Sequence, residues 1–336
     1  MGIAAFLAST ANAVNLHPTA GQVELERMAT GWGGLTFAIV MGLLWGSFAN
    51  VCIYRWPPSE KYPKGRSVVR PGSHCFACGA QVRWYDNVPI FAWLWLRGRC
   101  RDCGATFSAR YLWVEALTGL LFGLAWYQII VQGAMFEALP DRLIRWGIVA
   151  TFALTMVVIA FIDLDHKLIL DKVTYPAIPL FYGLGLLLPE RSWSEGLIGA
   201  AIGYGVIRAV SDGYYYLTGR EGLGYGDGKL LAIVGALVGW RGVLFGLFAG
   251  SVLGTIFGVL AIALRGKQPA EEDGAEGDAP DADAPADGAP PDGEGDDAEP
   301  SLRHMELPFG PYLAAAAMFY VLAEPWLRVN LWFLRG

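Results

Sequence analysis

Leu143-Ile144-Arg145-Trp146-Gly147-Ile148-Val149-Ala150-Thr151-Phe152-Ala153-Leu154-Thr155-Met156-Val157-Val158-Ile159-Ala160-Phe161-Ile162 is an apolar run that stops at Asp163-Leu164-Asp165. Crossing the hydrocarbon of a bilayer as a helix takes about 20 apolar residues, and this run has that length. Composition agrees. Of the 336 residues, 54% are hydrophobic and 17% charged, with a mean hydropathy of +0.38. A water-soluble domain carries nearer to about a quarter charged residues.

Working outward from this run, further apolar stretches lie near 35–54, 111–131, 173–189, 196–217, 229–240, 241–264 and 309–330. Together they predict an all-α polytopic membrane protein of about eight transmembrane helices. The 229–240 stretch is short, and Gly239-Trp240-Arg241-Gly242 reads as a tight outer turn after it. Inside 196–217, Arg208 and Asp212 are four residues apart and can pair on one helix face.

Orientation follows the distribution of Lys and Arg. The segment 55–110 holds ten of them, against Glu60, Asp86 and Asp102, and is expected to be cytoplasmic. Alternation puts 163–172, 218–228 and 265–308 on the same side and the N-terminus outside. The first 20 residues make a poor signal peptide. Ile3–Leu7 is a short apolar stretch with no basic region before it, and Ala11-Asn12-Ala13 is a weak cleavage cue.

Net charge is −6, but residues 268–300 hold 13 Asp and Glu and no Lys or Arg. The chain's 31 acidic residues less these 13 leave 18 against 25 basic ones, a balance of +7. The tract is rich in Ala, Pro, Gly and Asp and offers nothing to pack, so it reads as a disordered cytoplasmic spacer. The expected organisation is then an extracytoplasmic segment 1–34, a first span 35–54, a cytoplasmic cysteine domain 55–110, a transmembrane core 111–264, the acidic loop 265–308, and a last span with tail 309–336.

Four of the five cysteines form Cys75-Phe-Ala-Cys78 and Cys100-Arg-Asp-Cys103, with 21 residues between the pairs. Each CxxC lets two thiolates converge from one turn, and Gly79 and Gly104 follow the pairs. Two such turns make a zinc-ribbon-like closed tetrahedral site, structural rather than catalytic, with zinc the expected metal. A pair of disulfides competes, but is disfavoured in the cytoplasm. Cys52, inside the first span, reads as a packed thiol, and His74 as a surface histidine. No HExxH pattern occurs among His17, His74, His166 and His304.

The acids carry the chemistry. Asp163 ends one apolar run, and Gly224-Tyr225-Gly226-Asp227-Gly228-Lys229 opens another. Carboxylates are costly beside hydrocarbon and are retained for function or pairing. Two of them brought together could share one proton, as aspartic-protease chemistry requires. The expected catalytic pair is Asp163 and Asp227, with Asp165 turned elsewhere on the helix, Asp171 an N-cap for the next helix, and Lys229 snorkelling.

These motifs, in this order, resemble the type IV prepilin peptidases, or prepilin leader peptidase/N-methyltransferases. The resemblance rests on Gly46-Ser47-Phe48-Ala49-Asn50-Val51 running on to Tyr54-Arg55-Trp56-Pro57, and on the cysteines with Tyr85-Asp86-Asn87-Val88-Pro89 and Leu96-Arg97-Gly98-Arg99-Cys100-Arg101. It continues through Ser108–Tyr111, Val114–Thr118, Ile162–Asp165 and Thr218–Lys229. Two departures stand out: Leu170 precedes Asp171 where the family usually has proline, and the acidic insertion is long.

The resemblance implies an inner-membrane enzyme that cleaves the basic leader of prepilins and pseudopilins on the cytoplasmic side. The cut falls after a glycine and before a hydrophobic helix. It implies methylation of the new amine with S-adenosylmethionine, in a pilus or secretion system. The Gly46–Arg55 motif and the cytoplasmic domain are the candidates for that second activity, although Gly46, Ser47 and Asn50 equally suit helix packing and an interhelical hydrogen bond. Acids at Glu60, Asp86, Asp102, Asp165 or Glu221 could position the basic leader. Prepilin and lipid are the expected partners, with no nucleic acid. A transporter with interfacial carboxylates in a proton path is the alternative; it would show repeated halves or broken helices, and no clear repeat is present. A zinc enzyme would need an open coordination position that four cysteines do not leave.

Overall fold

The structure, a computed structural model, describes residues 19–60, 62–135, 137–219, 224–265 and 308–330. Among them helices dominate and no strand forms. The helices are α1 (Ala20–Thr30), α2 (Trp32–Arg55), the short α3 (Phe91–Trp95), α4 (Arg110–Trp126), α5 (Leu139–His166), α6 (Asp171–Gly185), α7 (Trp193–Thr218), α8 (Tyr225–Arg265) and α9 (Gly310–Asn330). α4 runs on through a π-turn, Tyr127–Val131. The chain forms two units, Met1–Leu253 with Pro308–Gly336, and Gly254–Leu307. Of the second, the described part is the end of α8. The expected signal-peptide region and most of the acidic loop lie outside the described residues, as does Glu221.

This is a multi-pass membrane protein. Four helical segments are long and apolar enough to cross a bilayer: Trp32–Arg55, Arg110–Val131, Leu139–His166 and Tyr225–Ala261. Two of the other apolar runs fall on helices with physical handicaps. α6 has 15 residues and carries Pro176 and Pro179, giving about 22 Å at 1.5 Å per residue against a core of about 30 Å. α7 carries Glu195, Arg208 and Asp212, and Arg208 Nε donates to Asp212 at 2.8 Å.

The first half of α8 is the centre of the main unit. Leu230, Leu231, Ile233, Val234, Ala236 and Leu237 are all buried, and a helix that is apolar all round belongs inside others. Phe152 and Met156 of α5, Phe181 of α6, Ile207 of α7 and Leu313 and Ala317 of α9 share its cluster. Lipid tails are as apolar as leucine, so close backbone packing rather than water exclusion holds such helices together. On α7, a Cβ at Gly199 would stand 2.4 Å from the Gly235 carbonyl oxygen, and one at Gly203 2.4 Å from that of Leu231. The α2–α4 seam works likewise. A Cβ at Gly46 would stand 2.8 Å from Glu115 Cα, and Asn50 Nδ2 donates to the Tyr111 carbonyl at 3.1 Å. The packing use of Gly46 and Asn50 is thus observed. Cys52 is buried beside Ala49, Ile53 and Val114.

Gly239 breaks α8, with φ 77° and ψ −178°, where the sequence suggested a turn. Only glycine adopts that backbone freely. The break releases the Val238 carbonyl, which accepts from Arg191 Nη1 at 2.9 Å, while Arg191 Nη2 pairs with Glu324 of α9 at 2.6 Å. A backbone carbonyl freed from its helix needs such a partner when it is shielded from water. Near the start of α5, buried Arg142 donates to the carbonyls of Ile130 and Glu137 and pairs with Glu26, tying α5 to α1.

Candidate active site

Asp163 lies in the last turn of α5. Its carbonyl accepts the Lys167 N–H at 2.8 Å, and Lys167, at φ 50°, ends the helix in the left-handed conformation. Asp227 lies in the first turn of α8, its own N–H donating to the Gly224 carbonyl at 3.2 Å. Both side chains are buried, 6% and 8% exposed, and the Asp227 carboxyl lies within reach of the Asp163 charge. The two acids named from the sequence are therefore brought together.

The spacing between these helix ends is set by Ile169, in the link from α5 to α6. A Cβ on Gly226 would stand 2.8 Å from Ile169 Cβ, and one on Gly310 3.3 Å from Ile169 Cδ1. Gly226 admits the isoleucine and so lets α8 start close to the end of α5. A third helix also reaches the pair: the Gly310 N–H, at the start of α9, donates to Asp163 Oδ2 at 3.0 Å. Sequence inspection missed this donor. Gly310-Pro311 before an apolar run reads as a helix start, since proline suits the first turn, but nothing local points to a residue 147 positions away.

Neighbouring acids take other roles. Asp165 pairs with Arg110 at the start of α4. That contact also brings the end of α5 to the same end of the bundle as the cysteine segment, which leads directly into α4. Asp171 is not an N-cap. It is the first helical residue of α6, behind Leu170, which makes no side-chain cap. Its carboxylate instead pairs with Lys229, whose ammonium also sits 5.0 Å from the Tyr175 ring centre. Lys229 is therefore a pairing residue and does not snorkel. Of the acids suggested for holding a basic leader, Asp86 pairs with Arg101 and Asp102 with Arg83, so these acids and Asp165 already have arginine partners within the chain.

The cysteines form two matching knuckles. The Cys75 N–H donates to the Ala80 carbonyl and that of Cys100 to the Ala105 carbonyl, both at 2.8 Å. Gly79 and Gly104 follow with φ 71° and 74° and donate back to the Cys75 and Cys100 carbonyls. The four Sγ atoms all lie within 4.8 Å of one another. Cys75 and Cys103 Sγ are 3.7 Å apart, far beyond a disulfide's roughly 2.05 Å. A tetrahedral metal with bonds of about 2.3 Å to sulfur has edges of about 3.8 Å, so the donor set fits one. The N–H groups of Cys78 and then Ala77 pull the Cys75 thiol down to about 7. Cys103 accepts from the Ala105 N–H, yet burial and the three neighbouring thiols push it up to about 12. Four crowded thiols resist common ionisation unless a cation stands among them. His74 is exposed, its Nδ1 3.0 Å from the Gly72 carbonyl.

Similarity to known proteins covers both halves of this arrangement. Residues 40–129 match the bacterial peptidase A24 N-terminal domain, and residues 150–259 match the type IV leader peptidase family. The chain is 32% identical over 324 residues to the prepilin leader peptidase/N-methyltransferase of Aeromonas salmonicida, covering 89% of this chain and 94% of that one. It is 36% identical over 240 residues to the like-named protein of Myxococcus xanthus, covering 70% and 67%. Against that of Dichelobacter nodosus it is 35% identical over 260 residues, covering 70% and 86%. No solved structure matches the chain. The chain belongs to the type IV leader peptidase family.

Proposed function

We propose that this protein cleaves the leader of type IV prepilins or pseudopilins at the membrane surface, with Asp163 and Asp227 as the catalytic pair. The observation that carries it is the meeting of two buried carboxylates at adjoining helix ends in a chain of this family. One carboxylate takes a proton from water as the hydroxide attacks the scissile carbonyl carbon. The other, protonated, gives its proton to the carbonyl oxygen. The tetrahedral diol then collapses: the C–N bond breaks as the acid that took water's proton gives it to the departing nitrogen, and the other carboxylate takes a proton from the diol. The leader leaves as a carboxylate and the pilin helix with a free amine.

N-methylation of that amine, with S-adenosylmethionine as donor, is the second activity; the relatives' names support it. Zinc is the metal we assign to Cys75, Cys78, Cys100 and Cys103, as a closed structural centre. The excess of Lys and Arg over 55–110 supports a cytoplasmic location for that segment. The Arg110–Asp165 contact supports the same side for the acid pair, facing the cytoplasm from the inner membrane. About eight spans, with domain boundaries as expected from the apolar runs, complete the topology; the break at Gly239 supports two spans within α8. The transporter alternative gains no support from the family or the relatives.

The decisive experiment incubates the purified protein with a membrane-anchored prepilin, with and without S-adenosylmethionine, and reads product masses. A cut before the pilin helix is expected in both cases, with 14 mass units (about one CH₂, from the methyl-transfer chemistry) added only with the donor. Uncut prepilin would overturn the proposal.

A further inference from the structure

We infer that Gly310 is a positioning residue for the reaction, holding the Asp163 carboxylate by its backbone N–H and by the space its missing Cβ leaves. The inference rests on the Asp163–Asp227 pair proposed above. Two independent observations carry it.

The first is the hydrogen bond. Helix α9 begins at Gly310, and the first N–H groups of a helix have no intrahelical acceptor. Here they are accounted for one by one. Pro311 has none. Those of Tyr312 and Leu313 return to the Phe309 carbonyl at 3.2 and 3.3 Å. That of Gly310 goes to Asp163 Oδ2 at 3.0 Å, in a buried setting. A backbone donor cannot rotate away as a side chain can. It therefore fixes one carboxylate oxygen and leaves Oδ1 to face the reacting water.

The second is steric. Gly310 does not have the left-handed backbone that would demand glycine. A Cβ there would stand 2.7 Å from Asp163 Oδ2 and 3.1 Å from its Cγ, with Ile169 Cδ1 next at 3.3 Å. The closest obstacle is the end of a side chain, so an added methyl would move the carboxylate rather than the helix. Position 310 thus needs glycine because a catalytic group fills the space.

The test compares Gly310→Ala with Gly250→Ala in the full-length enzyme, using a membrane-anchored prepilin. Gly250, on α8, is a packing control against the same helix α9: its Cβ would meet Leu313 Cδ2 at 2.8 Å and no carboxylate atom among its nearest neighbours. Displacing a reacting group by about 1 Å costs on the order of 10²-fold. We expect Gly310→Ala to lose about that much in kcat with KM within about twofold, and Gly250→Ala to keep kcat. Ile169→Val removes Cδ1 and so relieves the secondary contact; added to Gly310→Ala, it should not restore the rate. Wild-type kcat in Gly310→Ala, restoration by Ile169→Val, or an equal loss in Gly250→Ala would each overturn the inference. Hydrogen exchange settles the case if Gly310→Ala does not accumulate. Asp163→Ala should speed exchange of the Gly310 amide and Asp227→Ala should not; no acceleration in Asp163→Ala overturns the inference. Asp163→Asn and Asp227→Asn are assayed alongside. If both cleave normally, the catalytic pair is wrong. If both are inactive while Gly310→Ala is normal, the pair stands and the role of Gly310 falls.

Discussion

Asp163 and Asp227 stand 64 positions apart in sequence, yet lie together because two helix ends meet at Ile169. Asparagine keeps the shape of either side chain and neither takes up water's proton nor donates as an acid. Asp163→Asn and Asp227→Asn should each lower kcat by at least the roughly 10²–10⁴-fold that a general acid or base supplies. The double variant should be no slower than either, because the two act as a unit. Asp165→Asn loses only its pairing with Arg110 and should keep measurable cleavage. Mass spectrometry of prepilin after timed digestion checks all four variants; a fast Asp163→Asn with an inactive Asp165→Asn would exchange their roles. At this scale the sequence was legible where motifs were local. It was not where the partner was remote: Asp171 and Lys229 find each other across 58 positions, so a cap and a snorkelling lysine were the natural expectations from either one alone. Tertiary pairing overrode both.

Among the elements, the paired knuckles show how much a local pattern can specify. CxxC followed by glycine dictated the turns, and the 3.7 Å Cys75–Cys103 separation fits the edge of a tetrahedral thiolate site. We expect about one zinc per chain by elemental analysis, since four thiolates make one closed site. Chelation should expose residues 56–109 to protease while the helices stay inserted. A metal-free sample holding two disulfides would refute the assignment.

The same segment carries a pH dependence. The Arg101 guanidinium bonded to Asp86, Nε to Oδ2 at 2.8 Å, holds that carboxyl below its ordinary range, outweighing burial. A depressed folded value means the unfolded chain binds the proton more readily. The pair therefore contributes fully above the ordinary carboxylate range, and its contribution fades as pH falls through the folded value. Asp86→Asn should remove this part of the acid sensitivity. Protease resistance of the segment, measured for both proteins from neutral pH downwards, should converge as the pH falls; curves parallel throughout would show that Asp86 contributes nothing.

Across the whole molecule, hydropathy located every described long helix, because apolar length is what a bilayer selects. It could not say which helices cross alone and which depend on neighbours. α6 and α7 stand by glycine contacts and ion pairs that no window of hydropathy registers. The acidic tract belongs at this scale too. Deleting residues 270–299 should leave cleavage within about twofold, because a chain of that composition has nothing with which to pack. Loss of folding or of cleavage in the deletion would give the tract a further role.

The Gly310 contact has a consequence for biosynthesis. Residues 163 and 227 leave the ribosome long before residue 310, and α9 also supplies Leu313, Ala317 and Tyr320 to the core. A nascent chain that has reached only residue 307 owns both acids but lacks the donor beside one of them and a wall of the bundle around them. The surroundings of the acid pair are therefore completed late, when α9 arrives.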